Sequence, residues 1–162
     1  MDYQIIFVSD ILQDRLGFLW FATDDRLNRY DGYEFKVYRN NPNDKTLISD
    51  NTILSFAEDA AGNLWIGTKN GFVNRYDQKL DKFTRWEIKS SIKEENPINV
   101  LHIDKMGFVW VGTYRNGLYG LDPISGKIDH WALDSKNKNS LSYNYISSII
   151  EDDYGNFWIG TF

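Results

Sequence analysis

One seven-residue segment occurs four times in this chain of 162 residues, and it constrains the fold more than any other feature. In its second copy the segment reads Gly62-Asn63-Leu64-Trp65-Ile66-Gly67-Thr68. Each copy begins at a glycine and has a tryptophan three residues later: Gly17 and Trp20, Gly62 and Trp65, Gly107 and Trp110, Gly155 and Trp158. A period of about 45 residues is typical of repeats that fold as one four-stranded propeller blade. The chain is therefore predicted to be a series of such repeats.

An aspartate precedes the glycine of every copy by three residues: Asp14, Asp59, Asp104 and Asp152. This spacing is typical of a type I turn, which favours aspartate at its first position and glycine at its fourth. Short apolar-rich runs at 53–58, 100–103 and 146–151 come before the turns and suit the innermost strand of a blade. Each turn is predicted to join this inner strand to the strand that carries the tryptophan.

Two further strands complete each repeat. Asn70-Gly71 and Asn116-Gly117 favour tight hairpins, because both residue types tolerate positive φ. Third strands are predicted at 73–76 and 118–121, fourth strands at 35–38, 83–88 and 128–133, and polar connections at 39–50, 89–96 and 134–144. We therefore predict an all-β fold of four-stranded antiparallel β-propeller blades, three complete and half of a fourth.

The whole chain, 1–162, is expected to be a fragment of one propeller domain, with repeats at approximately 4–38, 49–88, 96–133 and 142–162. Leu64 and Ile66 face one side of their strand and Trp65 and Gly67 face the other, so both sides must be covered. Blades stacked around an axis provide this cover, and the small Gly67, Gly112 and Gly160 permit close approach. An incomplete propeller leaves open sheet edges, and we expect self-association through them.

Composition excludes several classes of function. The net charge of -5 gives no basic surface for nucleic acid, and the absence of cysteine removes thiolate metal sites. No apolar run approaches the roughly 20 residues that span a bilayer, so a soluble chain without direct membrane contact is expected. No nucleotide-binding loop or nucleophile elbow occurs, and no set of cofactor ligands can be assembled, so we expect no cofactor.

The recurring residues are interpreted as structural, because a residue present in every blade is best explained by turns and packing between blades. These residues are Asp14, Gly17, Trp20, Asp59, Gly62, Trp65, Asp104, Gly107, Trp110, Asp152, Gly155 and Trp158. Adjacent carboxylates such as Glu58-Asp59 and Glu151-Asp152 are interpreted as solvated turns rather than a glycosidase pair. His102 and His130 lack metal-ligand spacing, so no metal and no catalytic residue is predicted.

Better candidates for ligand binding are residues that interrupt the repeat on the face of the second hairpin. They are Arg26, Lys69, Tyr114 and Arg115. Tyrosine offers a ring for stacking on sugars, and arginine offers several donors for hydroxyl or carboxylate groups.

The second repeat resembles the two-component regulator propeller repeat, which occurs in the periplasmic sensor regions of hybrid histidine kinases of Bacteroides-type bacteria. The matching residues are Asp59, Gly62, Leu64, Trp65, Gly67, Thr68, Gly71, Arg75, Tyr76 and Asp77. The stretch 27–35 is similar to the first blade of such sensors. Departures are Ala22 and Arg26 in place of glycines in the first repeat, and the extra hairpin residue Arg115 in the third.

This resemblance implies a periplasmic segment of a two-component sensor that detects or relays an oligosaccharide signal, together with the rest of the propeller and sensor region. The signal would pass across the membrane to a histidine kinase and its phosphorelay, outside this chain. One alternative is a non-catalytic propeller for protein–protein interaction. Another is a propeller enzyme of the quinoprotein or glycosidase type, since residues 109–127 also resemble quinoprotein repeats.

Overall fold

The computed structural model describes residues 7–90 and 94–162, and these form fourteen β-strands in four antiparallel sheets. Sheet 1 contains β1 (Val8–Gln13), β2 (Leu19–Thr23), β3 (Leu27–Tyr30) and β4 (Phe35–Tyr38). Sheet 2 contains β5 (Ile53–Glu58), β6 (Leu64–Thr68), β7 (Phe72–Asp77) and β8 (Lys82–Glu87). Sheet 3 contains β9 (Ile98–Ile103), β10 (Val109–Thr113), β11 (Leu118–Leu121) and β12 (Ile128–Trp131). Sheet 4 contains only β13 (Ile146–Glu151) and β14 (Phe157–Thr161). The prediction of three complete propeller blades and half of a fourth is confirmed.

Strands within each blade pair in chain order, as consecutive hairpins. The predicted turn between the first two strands is present, since the Gly17 amide donates to the Asp14 carbonyl at 2.8 Å and Gly17 has a φ of 90°. The β6–β7 hairpin uses Gly71 at a φ of 84°, whereas the β2–β3 hairpin has Arg26 at this position. There the Thr23 hydroxyl accepts the Arg26 amide at 3.0 Å and donates to the Arg26 carbonyl at 2.6 Å. The Thr68 and Thr113 hydroxyls make similar bonds in the hairpins that keep glycine, so this threonine closes the turn with or without it.

The blades pack side by side with their inner strands adjacent. Every residue of β6 is buried, so both faces of this strand are covered, as predicted. A Cβ atom on Gly67 would lie 2.6 Å from Cγ2 of Ile98, and one on Gly112 would lie 2.7 Å from Cγ2 of Ile146, in the following blade in each case. These two glycines therefore allow the next inner strand to approach closely. Three apolar clusters fill the three interfaces between successive blades.

Charged side chains tie neighbouring blades together near the first turn. Arg15 contacts Glu58 of the next blade at 3.1 Å and donates to the Asp59 and Ala60 carbonyls, each at 2.7 Å. Lys105 repeats this arrangement with Glu151, at 3.5 Å. The interpretation of Glu58 and Glu151 as solvated turn residues was wrong. Both lie at the end of an inner strand, where the preceding blade partly covers them and supplies a cation.

One face of the fourth sheet has no neighbour among the described residues. Trp20 and Trp65 are 0% and 1% exposed, but the equivalent Trp158 is 66% exposed. A largely apolar cavity of about 590 Å³ lies beside β14, between Trp131 and Phe157. Between blades 2 and 3 the corresponding space is filled by Tyr119 of β11, the third strand. The cavity therefore occupies the place of a third strand in blade 4. The described residues form no helix, and so none that could cross a membrane.

Candidate ligand-binding face

The recurring aspartates and tryptophans form the same hydrogen-bond network in all four blades, here called the Asp–Trp network. In each copy one carboxylate oxygen accepts the indole N–H, at distances of 2.9 to 3.1 Å, in the pairs Trp20–Asp14, Trp65–Asp59, Trp110–Asp104 and Trp158–Asp152. The other oxygen accepts two backbone amides of the turn, as Asp59 does from Ala61 and Asn63 at 2.9 Å. The network uses both oxygens of each carboxylate. These aspartates therefore hold the turn and the tryptophan in place, and neither oxygen is left without a donor.

The donors of the network stabilise the ionised form of Asp59 and of Asp152. Burial pushes the pKa of Asp59 upwards, but hydrogen bonds from the Trp65 indole and from Asn63 outweigh it, and the net shift is downwards. At the exposed Asp152, hydrogen bonds from Asn156 and then from Trp158 lower the pKa to about 2. Asp59 and Asp152 are therefore fixed acceptors at neutral pH, and they do not suit proton transfer.

The four candidate ligand-binding residues lie on the second hairpins of their blades, and so at one end of the structure. Arg26 lies in the β2–β3 hairpin and pairs with its neighbour Asp25. Lys69 lies in the β6–β7 hairpin, with its Nζ 3.5 Å from a carboxylate oxygen of Glu95. Tyr114 and Arg115 share the β10–β11 hairpin. Blades 1 and 2 thus contribute one of these positions each to a common face, and blade 3 contributes two.

Only Tyr114 and Arg115 among the four lie together in a described cavity. This cavity is a groove of about 620 Å³, a size in the usual range for small-ligand sites. We call it the hairpin groove and define it by its lining residues: Tyr114, Arg115, Leu133, Tyr143, Asn144, Tyr145 and Phe162. The Arg115 guanidinium lies 5.3 Å from the Tyr114 ring centroid, and the Tyr114 and Tyr145 rings pack edge to face at 5.1 Å. The groove thus presents aromatic walls and one cation.

Sequence reasoning did not identify the wall of the hairpin groove formed by the loop 132–145. Tyr143 and Tyr145 precede β13 at positions that are occupied by Asp50 and Thr52 before β5, so a comparison of these two loops would have found them. The loop is held by Asn144, whose side-chain oxygen accepts the Leu133 amide at 2.7 Å and whose carbonyl accepts the Gly117 amide at 2.8 Å. These bonds dock the loop onto the β10–β11 hairpin and close the groove.

The histidines take part in local packing. The His130 ring stacks on Tyr119 with centroids 4.1 Å apart, and its Nε2 contacts the Asn116 carbonyl. His102 Nε2 lies 3.9 Å from a carboxylate oxygen of Glu151 across the blade interface. Within 7–90 and 94–162, no three His, Cys, Asp or Glu side chains are grouped as metal ligands.

Comparison with known families finds a match for three of the four repeats. Residues 3–25, 47–70 and 140–162, in the first, second and fourth repeats, match the two-component regulator propeller family. Histidine kinase P4 of Formosa agariphila is 60% identical over 42 residues, which are 26% of this chain and 3% of that protein.

Solved structures give the same result over most of the chain. The extracellular domain of the hybrid two-component system BT4673 from B. thetaiotaomicron matches 95% of this chain with a TM-score of 0.80 and 27% identity. The corresponding domain of BT3049 matches 95% with a TM-score of 0.78 and 25% identity. This chain covers 20% and 22% of those two chains. A virginiamycin B lyase from Staphylococcus aureus has a TM-score of 0.74 at 14% identity, which is a likeness of fold alone.

Proposed function

This chain carries two-component regulator propeller repeats, and from that premise we propose that it is a segment of the periplasmic sensor domain of a hybrid histidine kinase. In this proposal the segment detects or relays an oligosaccharide signal, and the kinase that it controls lies elsewhere in a longer protein. The observation that carries the proposal is the match of 95% of the chain to extracellular domains of two hybrid two-component systems. An extracytoplasmic location follows from the same likeness.

The arrangement of the blades supports a role in transmitting a signal without catalysis. The charged groups that recur in the repeats are already engaged, either in the Asp–Trp networks or in the ion pairs between blades. Arg15 fixes the position of blade 2 through Glu58, and Lys105 fixes the position of blade 4 through Glu151. A ligand that shifts one blade would therefore displace its neighbour, because rigid packed units move together.

The open face of blade 4 fits the same proposal. Trp158 and Ile150, at 66% and 62% exposed, form an apolar surface next to the free edge of β14. The other interfaces of the chain cover such a surface with the next blade. We infer that the rest of a propeller covers it in the sensor, and that the isolated chain associates with itself through this edge.

The direct test uses the longer protein that carries this chain, in membrane vesicles supplied with ATP. We expect a mixture of plant, algal and host oligosaccharides to change the rate of histidine autophosphorylation, and deletion of residues 98–131 to abolish the change. The deletion variant must keep its basal phosphorylation for the result to count. A rate that no oligosaccharide alters would contradict the proposed sensing.

A further inference from the structure

The hairpin groove differs in charge from the rest of the chain. The chain has a net charge of -5, yet the side chains that line the groove include one cation, Arg115, and no carboxylate. Its other lining groups are aromatic rings, one leucine and the amide of Asn144. An anionic ligand with a flat apolar face would meet an opposite charge here and no side-chain carboxylate among the lining residues.

Among the residues that the structure describes, Arg115 has a single carboxylate partner, and that partner can be exchanged. The guanidinium pairs with Glu94, which lies in the connection between β8 and β9 and does not line the groove. The side chains of Arg115 and Glu94 are 53% and 63% exposed. Exposed ion pairs contribute little, so a ligand carboxylate can replace Glu94 at small cost. A planar guanidinium binds a carboxylate with two parallel hydrogen bonds, which gives such a ligand a defined orientation.

The rings of the groove provide the second half of the recognition. Tyr143 is 53% exposed at the rim, and Tyr114 lies directly beneath the guanidinium of Arg115. A pyranose ring has an apolar face of C–H groups and an edge of hydroxyls, so it can lie against a tyrosine ring while its hydroxyls meet polar groups.

We propose that the hairpin groove is a subsite for an acidic sugar, in which Arg115 binds the carboxylate of a uronic acid unit. This inference rests on the proposed function, because that proposal makes an oligosaccharide the ligand. It adds the site, the ligand class and an exchange step: the sugar carboxylate replaces Glu94 at Arg115.

The test is isothermal titration of the 162-residue chain, amidated at its C-terminus so that Phe162 adds no carboxylate to the groove, with pairs of methyl glycosides. Each pair, in the gluco, galacto and manno series, consists of a uronic acid and the neutral hexose that differs from it only at C6. We expect at least one uronide to bind at least tenfold more tightly than its neutral partner. Arg115→Gln is expected to remove this difference, while Arg115→Lys retains part of it.

Two further variants separate recognition from folding. Glu94→Gln is expected to tighten binding of the uronide by up to about fivefold, because it removes a competitor whose exposed ion pair is worth at most about 1 kcal/mol. Lys127→Gln is the control, since it removes an exposed, ion-paired cation of the same blade, on the β11–β12 turn. It is expected to leave the affinity unchanged. If the ion pair between Arg115 and Glu94 only held the groove in shape, Arg115→Gln and Glu94→Gln would change the affinity for the uronide in the same direction.

The proposal is overturned if every uronide binds no better than its neutral partner, or if Arg115→Gln leaves the preference intact. A failure of this site assignment can be distinguished from a failure of the proposed sensing function. If autophosphorylation of the longer protein responds to neutral oligosaccharides while the groove shows no preference for acids, the function stands and this assignment of the site is wrong.

Discussion

Replacement of Asp14 by asparagine tests whether the Asp–Trp network stabilises a blade through its buried indole. Asp14 is 5% exposed and Trp20 is 0% exposed. One oxygen of Asp14 accepts the Leu16 and Phe18 amides at 3.0 Å, and the other accepts the Trp20 indole at 2.9 Å. In Asp14→Asn the amide nitrogen replaces one oxygen, so a donor faces either the indole or the turn amides. A buried donor without an acceptor destabilises by about 1–3 kcal/mol, and the retained bonds weaken with the lost charge. We expect a loss of about 2–3 kcal/mol.

The fourth blade supplies a matched control in the same chain. Asp152 makes the equivalent bonds to its turn and its indole, and its further donor is the Asn156 side chain where Asp14 has Gln78. Trp158 is 66% exposed, so water can satisfy its indole after Asp152→Asn. We expect a clearly smaller loss for this variant. Guanidinium denaturation, followed by far-ultraviolet circular dichroism and by tryptophan fluorescence, measures both losses. Equal losses would refute the reasoning, because they would show that the turn alone, and not burial of the indole, sets the contribution.

Three further results are expected. Gly112→Ala should destabilise the chain by about 1–3 kcal/mol, because its Cβ would lie 2.5 Å from Val100 and 2.7 Å from Ile146. A denaturation midpoint equal to that of the unmodified chain would mean that the blades do not approach this closely. Burial raises the pKa of Tyr38 and of Tyr76, and the Tyr76 hydroxyl also donates to Asp81 at 2.6 Å. Their stabilising contribution is therefore complete below pH 10 and lost above it, and near-ultraviolet absorption should show both tyrosines ionising only as the chain unfolds. Since the pKa of Asp152 is lowered to about 2, its contribution should be present above about pH 4 and disappear between about pH 4 and 2. The NMR shift of the Trp158 indole proton should report protonation of Asp152 in the folded chain, with a midpoint near pH 2. A midpoint near pH 4 would count against the network.

Local patterns in the sequence predicted most of the fold. The strands at 53–58, 118–121 and 146–151 lie where the apolar runs placed them, because short apolar runs between turn residues specify strands of a buried sheet. The strand predicted at 128–133 ends at Trp131, where Ala132 and Leu133 leave the sheet to begin the loop that docks on the hairpin. Strand boundaries are set by such contacts between distant residues, which no local pattern contains.

The sequence predicted less of the candidate site. It identified Tyr114 and Arg115, because both depart from the repeat. It did not place Tyr143 and Tyr145 beside them, because the path of their loop depends on the hydrogen bonds of Asn144 to Leu133 and Gly117. The ion pairs of Arg15 and Lys105 were missed for the same reason, since each joins residues more than forty positions apart.

The proposal that this chain is a segment of a larger propeller is tested most directly by light scattering coupled to size-exclusion chromatography. The unmodified 162-residue chain, called the parent chain, is compared with a form extended after Phe162 by a copy of residues 70–89. These residues carry β7 and β8 and would complete blade 4. We expect the parent chain to associate as its concentration rises, and the extended form to have a smaller tendency to do so and a more buried Trp158. A parent chain that stays a monomer of 19.0 kDa at every concentration would contradict the account.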